Sequence, residues 1–315
     1  MSKADRNNPK RSAASESDYS LMEFMREFPD DATCLAHLWR SRFSEDADHA
    51  YCVKCERERR FHKLASRPVW SCDSCGKHIS PLAGTIFKKS STSLHLWFYA
   101  MYLMTSTRCG ISAKQLEREV GVGYKTAWRM CNLIRTHLMA QDASTKLTGE
   151  VEADETAYGG RPKASMTRGM TMPEAQTFAK ARKVSIVAMV ERGGRVRAYV
   201  QPREGALETV SLHVDPSATV YTDEWAGYSK LRYTHPTHRT IRHTDKVYAS
   251  GDVHTQTIEG WFGNVKNGIA GNYHGVSVKW LQSYINEYTW RYNHRYRGGR
   301  SMFVELLGRA VVVRP

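Results

Sequence analysis

The sequence predicts an α/β fold for the second half of the chain, preceded by a cysteine-rich module and a helical region. After Thr145 the chain contains short alternating runs that are typical of strands, namely GEVEADET, VSIVAMVER and VRAYVQ, with Gly193 and Gly194 at a hairpin turn. Helical patterns follow at 204–214, 254–269 and 277–293. This mixture of strands and helices indicates the α/β class.

The changes of pattern divide the chain into consecutive segments. Residues 1–20 are polar and are predicted to be a disordered tail, because they offer little apolar surface to bury. Residues 161–183 carry no clear periodicity and are predicted to be a mobile loop. The other segments are two short helices broken near Pro29 within 21–48, a cysteine module at 49–90, a helix-turn-helix region at 91–145, an α/β domain at 146–295 and a basic C-terminal segment at 296–315.

The charge of the chain favours a polyanionic partner. Lys and Arg number 46 against 32 Asp and Glu, which leaves a formal net charge of +14 at pH 7. Such an excess attracts nucleic acid, although a membrane surface is an alternative partner. The longest apolar run, Leu94–Met104, is interrupted by His95 and is shorter than the about 20 residues needed to cross a bilayer. The first twenty residues lack the apolar region of a secretory signal, so we expect a cytoplasmic protein with no membrane partner.

Four of the seven cysteines form two CxxC pairs. Cys52 and Cys55 make the first pair, Cys72 and Cys75 make the second, and sixteen residues separate the two. Four thiolates at this spacing suit a closed, tetrahedral Zn²⁺ site that stabilises a small fold. The alternative is four unrelated buried thiols. The basic residues around the pairs either contact DNA or form a solvated face: Lys54, Arg57, Arg59, Arg60 and Lys63.

Residues 111–135 have the pattern of two helices joined by a tight turn. Ser112 is placed to cap the first helix, and Gly121 is suited to the left-handed turn that ends it. A second helix that begins at Tyr124 would enter the major groove of DNA if this is a helix-turn-helix motif. The alternative is plain packing in a three-helix unit. The residues predicted to face DNA are Tyr124, Lys125, Thr126 and Arg129.

Three acidic residues lie at the ends or borders of predicted elements in the α/β domain. Asp154 ends one strand-like run, and Asp223 directly follows another at 218–222. Acidic residues at strand ends lie at the edge of a sheet where ligands gather. Glu259 is one residue away from the apolar stripe of a predicted helix and is therefore expected to border the core. Lys266, seven residues later, shares its helix face.

Three converging carboxylates indicate a site for divalent cations. Two Mg²⁺ (or Mn²⁺) ions are hard cations that prefer oxygen ligands, and a pair of them activates an attacking oxygen while stabilising a leaving one. The alternative is that each acid is an ordinary surface charge. Glu155, Asp245 and Asp252 compete with Glu259 for the third position.

Several longer segments resemble a known family. They are CVKC, CDSCGKHISPLAGTIF, VGYKTAWRMCNLIR, VEADETAYGG, VYTDEWAGY and HTQTIEGWFGNVKNGIAGNYHGVS, and they span roughly residues 50–295. They resemble transposases of the insertion sequence 1595 type, whose catalytic domain is called ISXO2-like. The resemblance implies a zinc ribbon at 49–90 and, at 146–295, an RNase H-like catalytic domain with a mixed five-stranded sheet.

The resemblance also implies roles for single residues. Asp154, Asp223 and Glu259 would be the three metal ligands of a D-D-35-E arrangement, since 35 residues separate the second acid from the third. Lys266 would contact the transposon end. Members of this family vary at the third acid, so Asn264 is a reserve candidate. The implied reaction is metal-dependent hydrolysis that frees a 3′ hydroxyl, followed by transesterification of that hydroxyl into target DNA.

The implied partners are double-stranded DNA, as transposon ends and target, and further copies of the chain in a homodimer or larger synaptic complex. The implied location is the bacterial nucleoid. The basic run near the C-terminus suits the DNA backbone, although a solvated tail is the alternative: Arg291, His294, Arg295, Arg297 and Arg300. A DNA-binding regulator that no longer cleaves and a nuclease without strand transfer are competing functions. The intact acidic set favours an enzyme over the regulator.

Overall fold

The computed structural model describes residues 18–107, 109–142, 144–159, 164–181, 183–201, 205–241 and 254–312. These residues form two compact units. The first comprises Met1–Leu138 together with Arg295–Pro315, and the second comprises Met139–His294.

The first unit begins with two helices, α1 (Leu21–Glu27) and α2 (Asp31–Phe43). Ser20 and Glu23 form a capping box at the start of α1, and the Asp30 carboxylate accepts a hydrogen bond from the Thr33 amide at the start of α2. Such caps satisfy backbone N–H groups that a helix leaves without partners, so they fix where each helix begins.

A small antiparallel sheet follows these helices. Its strands β1 (His49–Cys52), β2 (Arg57–Lys63), β3 (Trp70–Cys72) and β4 (His78–Ile79) pair in chain order. Trp39 of α2 stacks on Trp70 of β3 with ring centroids 4.6 Å apart. Both rings are buried, and this aromatic contact attaches the small sheet to α2.

Three helices follow in the order α3 (Leu94–Ser106), α4 (Ala113–Val120) and α5 (Tyr124–Leu133), and a π-helical turn at Ile134–Leu138 extends the last of them. Ser112 accepts a hydrogen bond from the Gln115 amide at the start of α4, and Gly121 ends it with a φ of 68°. A left-handed φ of this kind favours glycine, as the sequence predicts for this turn.

The C-terminal segment departs from its sequence-based prediction. Residues predicted as a basic segment form the helix α10 (Gly299–Val311), which packs against α2 and α3. Its buried residues recur at helical spacing: Met302, Phe303, Leu306, Leu307 and Ala310. The prediction of a charged segment rested on the arginines before and within this stretch, although its apolar residues recur with the period of an amphipathic helix.

The second unit contains, within the described residues, a five-stranded mixed sheet, as predicted. Its strands are β5 (Glu150–Tyr158), β6 (Val184–Glu191), β7 (Val196–Gln201), β8 (Thr219–Thr222) and β9 (Arg239–Thr240), arranged in the order β7-β6-β5-β8-β9. The first three pair antiparallel, whereas β8 runs parallel to β5 and β9 runs parallel to β8. The sheet and its helices confirm the α/β class.

Helices cover both faces of this sheet. One face packs against α7 (Ala206–His213) and the 3₁₀ turns at Ala226–Tyr233, and the other packs against α8 (Gln256–Gly268) and α9 (Leu281–Asn293). Gly268 at the end of α8 lies against the Tyr288 side chain of α9 and leaves no room there for a Cβ atom. Two separate hydrophobic cores therefore fix the sheet between its helices.

One further element corrects a prediction. Met172–Ala181, which falls within the predicted loop at 161–183, is the helix α6. All ten of its residues are described, and none of them is buried. A helix that buries nothing lacks a wide apolar stripe, which is why hydrophobic periodicity did not reveal it.

Replacing Phe303 by alanine is expected to destabilise the first unit by about 3–5 kcal/mol, because it leaves a cavity among aromatic rings. Phe303 is 1% exposed and contacts the rings of Tyr19, Phe24 and Phe28. Urea unfolding measures the effect, and Val304→Ala on the exposed side of the same helix is the control. Equal stability of the two variants would contradict the packing described for α10.

Candidate active site

Asp154 and Asp223 lie beside each other because of the parallel pairing of β5 with β8. The pairing aligns Glu150 with Thr219 and Glu152 with Tyr221. Two residues further along, the same register aligns Asp154 with Asp223. Asp223 directly follows β8, as predicted, whereas Asp154 is the fifth of the nine residues of β5 and does not end its strand. Neighbouring strands are about 4.8 Å apart, so the register brings the two carboxylates together.

Both carboxylates point toward the face of the sheet that carries α8. Asp154 pairs across the antiparallel ladder with Ala188, and residues directly opposite each other in a ladder share a face. Ala188 packs into the hydrophobic core that includes Ile258 and Trp261 of α8. Val220 packs into the core on the opposite face, so alternation along β8 places Asp223 on the α8 side.

The helix α8 carries the remaining candidates of this site. Glu259 lies in its first turn, and its carboxylate accepts a hydrogen bond of 3.1 Å from the Thr255 hydroxyl. Glu259, Asn264 and Lys266 are all exposed. The expectation that Glu259 borders the core is therefore wrong: an angular step of about 100° per residue takes its side chain off the buried stripe and out to solvent.

The electrostatics of Asp154 link the three acids. The pKa of Asp154 is raised to about 7: burial is the largest cause, a hydrogen bond from the Glu155 amide acts in the opposite direction, and the negative charges of Asp223, Glu155 and Glu259 add to the increase. Such a shift means that the ionised carboxylate is poorly solvated and surrounded by like charge. A bound divalent cation would relieve both penalties, so the donor set fits a hard metal ion.

The three carboxylates are less closely gathered than the cysteines of the first unit. Among the described residues, four cysteines form the only group of three or more candidate ligands whose atoms all lie within 4.8 Å of one another.

Glu155 does not belong to this group of carboxylates. It follows Asp154 on β5 and therefore points to the opposite face, where its carboxylate accepts a 2.8 Å hydrogen bond from the Tyr228 hydroxyl. Burial and the neighbouring Glu155 charge raise the pKa of Tyr228, which keeps this hydroxyl a donor. The other two competing acids, Asp245 and Asp252, lie outside the described residues.

Lys266 lies beside a cavity on the same face of the sheet. The cavity measures about 250 Å³, and its lining includes Tyr158, Val265, Lys266 and His274. The Lys266 ammonium is 5.9 Å from the centre of the Phe262 ring. Lys266 is exposed on α8, and a contact between its ammonium and DNA stays a prediction.

Two residues that sequence reasoning missed hold α8 in place. Glu152 is fully buried and accepts hydrogen bonds from the Thr257 and Ile258 amides at the start of α8. Arg192 in the β6–β7 turn donates a 2.8 Å hydrogen bond to the same carboxylate. Four of the nine residues of β5 are acidic, so no signal in the sequence separates Glu152 from its neighbours, although a buried acid needs buried partners.

The four cysteines come together in the small sheet of the first unit. Their sulfur atoms all lie within 4.8 Å of one another, and 3.5 Å separates Cys52 Sγ from Cys75 Sγ. Cys52 and Cys72 end β1 and β3, while Cys55 and Cys75 lie in the turns that follow, where Glu56 and Gly76 adopt positive φ. The predicted four-cysteine cluster is confirmed, and its four thiolate donors fit a structural Zn²⁺ ion.

The helix α5 presents the residues predicted to face DNA. Tyr124, Lys125 and Arg129 are exposed, and Thr126 is half-buried. The turn of residues 121–123 joins α5 to α4, and these two helices pack against each other. A role of α5 in reading DNA stays a prediction.

The basic run near the C-terminus is largely engaged within the protein. The Arg291 guanidinium donates hydrogen bonds to the buried Glu287 carboxylate, and its side chain is only 13% exposed. Arg295 lies over the Tyr296 ring, and Arg297 and Arg300 pair with Glu305 and Glu27. The structure therefore does not support a phosphate contact by Arg291, since its charge is already neutralised by a buried partner.

Comparison with known proteins places a known domain in the second unit. Residues 146–293 match the ISXO2-like transposase domain. A protein of the transposable element ISH50 from Halobacterium salinarum, itself uncharacterised, is 30% identical over 256 residues, which cover 76% of this chain and 84% of the relative. No solved structure matches.

The matched domain and the relative thus indicate an enzyme class that processes nucleic acid. The chain belongs to the ISXO2-like transposases of the insertion sequence 1595 type. Membership implies that it binds DNA and uses a divalent metal ion. In the described residues, no helix is both long and apolar enough to cross a membrane.

Replacing Cys72 by serine is expected to remove the zinc ion and unfold the small sheet, because the closed site needs all four thiolates. Zinc content per chain and limited proteolysis within residues 49–80 measure the two effects. Cys109→Ser, at an exposed cysteine outside the cluster, is the control and should keep both. Full zinc content in the Cys72 variant would refute the assignment of this site.

Asp154→Asn is expected to stabilise the metal-free protein at pH 8 by about 1–3 kcal/mol, a range discounted for partial exposure. The pKa of Asp154 is about 7 in the folded protein, against about 3.9 when unfolded, so its ionisation disfavours folding. This penalty is complete above pH 7 and disappears as the pH falls toward 4. Urea unfolding at pH 8 and pH 4 in magnesium-free buffer tests the difference, with Glu208→Gln as control. If the difference in the free energy of unfolding between the variant and the unaltered protein does not change with pH, the raised pKa of Asp154 is contradicted.

Proposed function

We propose that this transposase cleaves DNA at the ends of an insertion sequence and joins the freed 3′ hydroxyl to target DNA. Divalent metal ions, Mg²⁺ or Mn²⁺, would be held by Asp154, Asp223 and Glu259, with two ions in each active site. The observation that carries this proposal is the pair of aspartates side by side on one face of the sheet, together with the pKa of about 7 at Asp154. The match to a transposase domain does not favour the alternative of a non-cleaving DNA-binding regulator.

The sheet supports an RNase H-like fold for the catalytic unit. Three antiparallel strands are followed by two strands that are parallel to the first and lie on its other side. The first acid lies on the first strand of this unit and the second directly after the fourth. The third lies on a later helix that covers the same face of the sheet.

The acidic side chains of this site would bind the metal ions, and Lys266 would contact the DNA. Ionised carboxylates of Asp154, Asp223 and Glu259 supply the oxygen ligands that Mg²⁺ prefers. When bound, the ions lower the barrier to phosphodiester attack and stabilise the leaving oxygen. Lys266, nearly two helical turns after Glu259, presents its ammonium to a phosphate of the DNA end. Asn264 is a weaker candidate ligand, since an amide oxygen carries no charge.

The first unit supplies surfaces for binding DNA. Tyr124, Lys125 and Arg129 are exposed on α5, as a recognition helix requires, and Thr126 lies on the same helix. Arg295 and the basic residues of the zinc ribbon are candidate contacts to phosphates. Since two transposon ends must be joined to one target, we propose that the chain acts as a homodimer or a larger synaptic complex on the DNA of the nucleoid.

Asp154→Asn and Asp223→Asn are each expected to reduce Mg²⁺-dependent cleavage of the element's end by at least about a thousandfold, because each loses a charged ligand. Binding of the same DNA should be unchanged, since neither residue lies in the first unit. Single-turnover cleavage of labelled end DNA and a gel-shift titration measure the two properties.

Glu208→Gln removes a carboxylate from the opposite face of the sheet and is the matched control. It should cleave like the unaltered protein. Cleavage at the normal rate by either aspartate variant would refute the proposed site. Cleavage without strand-transfer products on a plasmid target would identify a nuclease instead of a transposase.

A further inference from the structure

Glu152 is a buried acid at the interface between β5 and α8. Its side chain is fully buried, and each carboxylate oxygen accepts more than one hydrogen bond. Oε2 accepts from the amides of Thr257 at 2.8 Å and Ile258 at 3.1 Å, while Oε1 accepts from the Thr257 hydroxyl at 2.9 Å. These donors lie in the first turn of α8, where amides lack partners within the helix and the helix dipole favours a negative charge.

Arg192 completes this arrangement from the β6–β7 turn. Its Nε donates to Glu152 Oε1 at 2.8 Å, and its Nη2 donates to the His254 carbonyl at 2.9 Å, just before α8 begins. The guanidinium also lies 4.2 Å from the centre of the Tyr221 ring on β8. Arg192 therefore contacts β5, β8 and the residue before α8. Of the three proposed ligands, Asp154 lies on β5, Asp223 directly follows β8 and Glu259 lies on α8.

The path from Glu152 to the proposed ligands is short. One residue separates Glu152 from Asp154 along β5, and both point to the α8 face. One residue, Ile258, separates Thr257 from Glu259 along α8. The hydrogen bonds of Glu152 thus join the two backbones immediately beside the two acids. Any shift of α8 along the sheet must break buried bonds to an ionised group, which is strongly unfavourable.

We propose that Glu152, held by Arg192, is a positioning residue of the active site. It fixes the N-terminus of α8 against β5 and so sets the separation between Glu259 and the aspartates at the value that metal binding requires. This inference rests on the proposed function, because it takes Glu259 as a metal ligand. It adds a fourth acid, which contacts neither metal nor DNA, to the three that form the site.

The test compares Glu152→Gln with Glu150→Gln in the full chain. Glu150 lies two residues earlier on the same face of β5 and also neighbours Arg192, at 3.6 Å, but none of its contacts given by the structure reaches α8. The first readout is Mn²⁺ affinity, from the loss of the free-ion electron paramagnetic resonance signal. The second is the Mg²⁺ concentration that half-saturates single-turnover cleavage of end DNA.

Glu152→Gln is expected to weaken Mn²⁺ binding by about tenfold, since its amide group cannot accept every hydrogen bond that the carboxylate accepts. The half-saturating Mg²⁺ concentration should rise in parallel, while DNA binding is unchanged. Glu152→Asp, which keeps the charge on a shorter side chain, should recover part of the affinity. Glu150→Gln should stay within about twofold of the unaltered protein. A purely structural role would lower the folded fraction without moving either midpoint.

If Glu152→Gln does not fold, Thr257→Ala removes one donor and keeps the buried carboxylate with its other bonds. A shift in the same direction, by about threefold, is expected from loss of one such bond. Equal Mn²⁺ affinity of the unaltered protein and the folded variant would overturn the proposal. If the unaltered protein binds Mn²⁺ but does not cleave DNA, the proposed function fails, and weaker Mn²⁺ binding by Glu152→Gln would still support the positioning role.

Discussion

The parallel pairing of β5 with β8 is the contact on which the candidate site depends. Because the two strands run in the same direction and in a fixed register, Asp154 within β5 and Asp223 directly after β8 lie side by side and on the same face of the sheet. A slip of one residue would turn one carboxylate into the opposite core. On its other side β5 pairs with β6, which pairs in turn with β7, so neighbouring strands hold β5 on both sides.

The third acid depends on a different kind of interaction. Nothing in the sheet ladder determines where α8 lies along the face, and hydrophobic packing alone tolerates small shifts of a helix. The hydrogen bonds between Glu152 and the first turn of α8 are directional and buried, and they remove that freedom. The apolar stripe of α8 therefore determines which face of the sheet the helix covers, whereas the buried Glu152 carboxylate fixes the position of the helix along that face.

Local patterns explain which parts of this structure the sequence predicts. The paired cysteines, the cap at Ser112 with the turn at Gly121, and the α/β class follow from short motifs and periodicity. The side-by-side position of Asp154 and Asp223 does not, because a parallel pairing across more than sixty residues leaves no local signal. Glu152 looked like one more acid in the strand, and Arg291 like one more surface charge. Only the fold shows that each has a buried partner.

The charges of the chain must serve both DNA binding and metal binding. A formal charge of +14 attracts DNA, yet the proposed metal site needs acids whose charges are not neutralised by nearby lysines or arginines. The arginine near the site is paired with a different acid. Arg192 binds Glu152, and its charge is therefore not directed at Asp154, two residues further along β5. Asp154 accordingly keeps a pKa of about 7, raised by burial and by neighbouring negative charge. A carboxylate with such a pKa binds a proton near neutral pH. A divalent cation can displace that proton, and its binding free energy is most favourable when no basic side chain already neutralises the carboxylate.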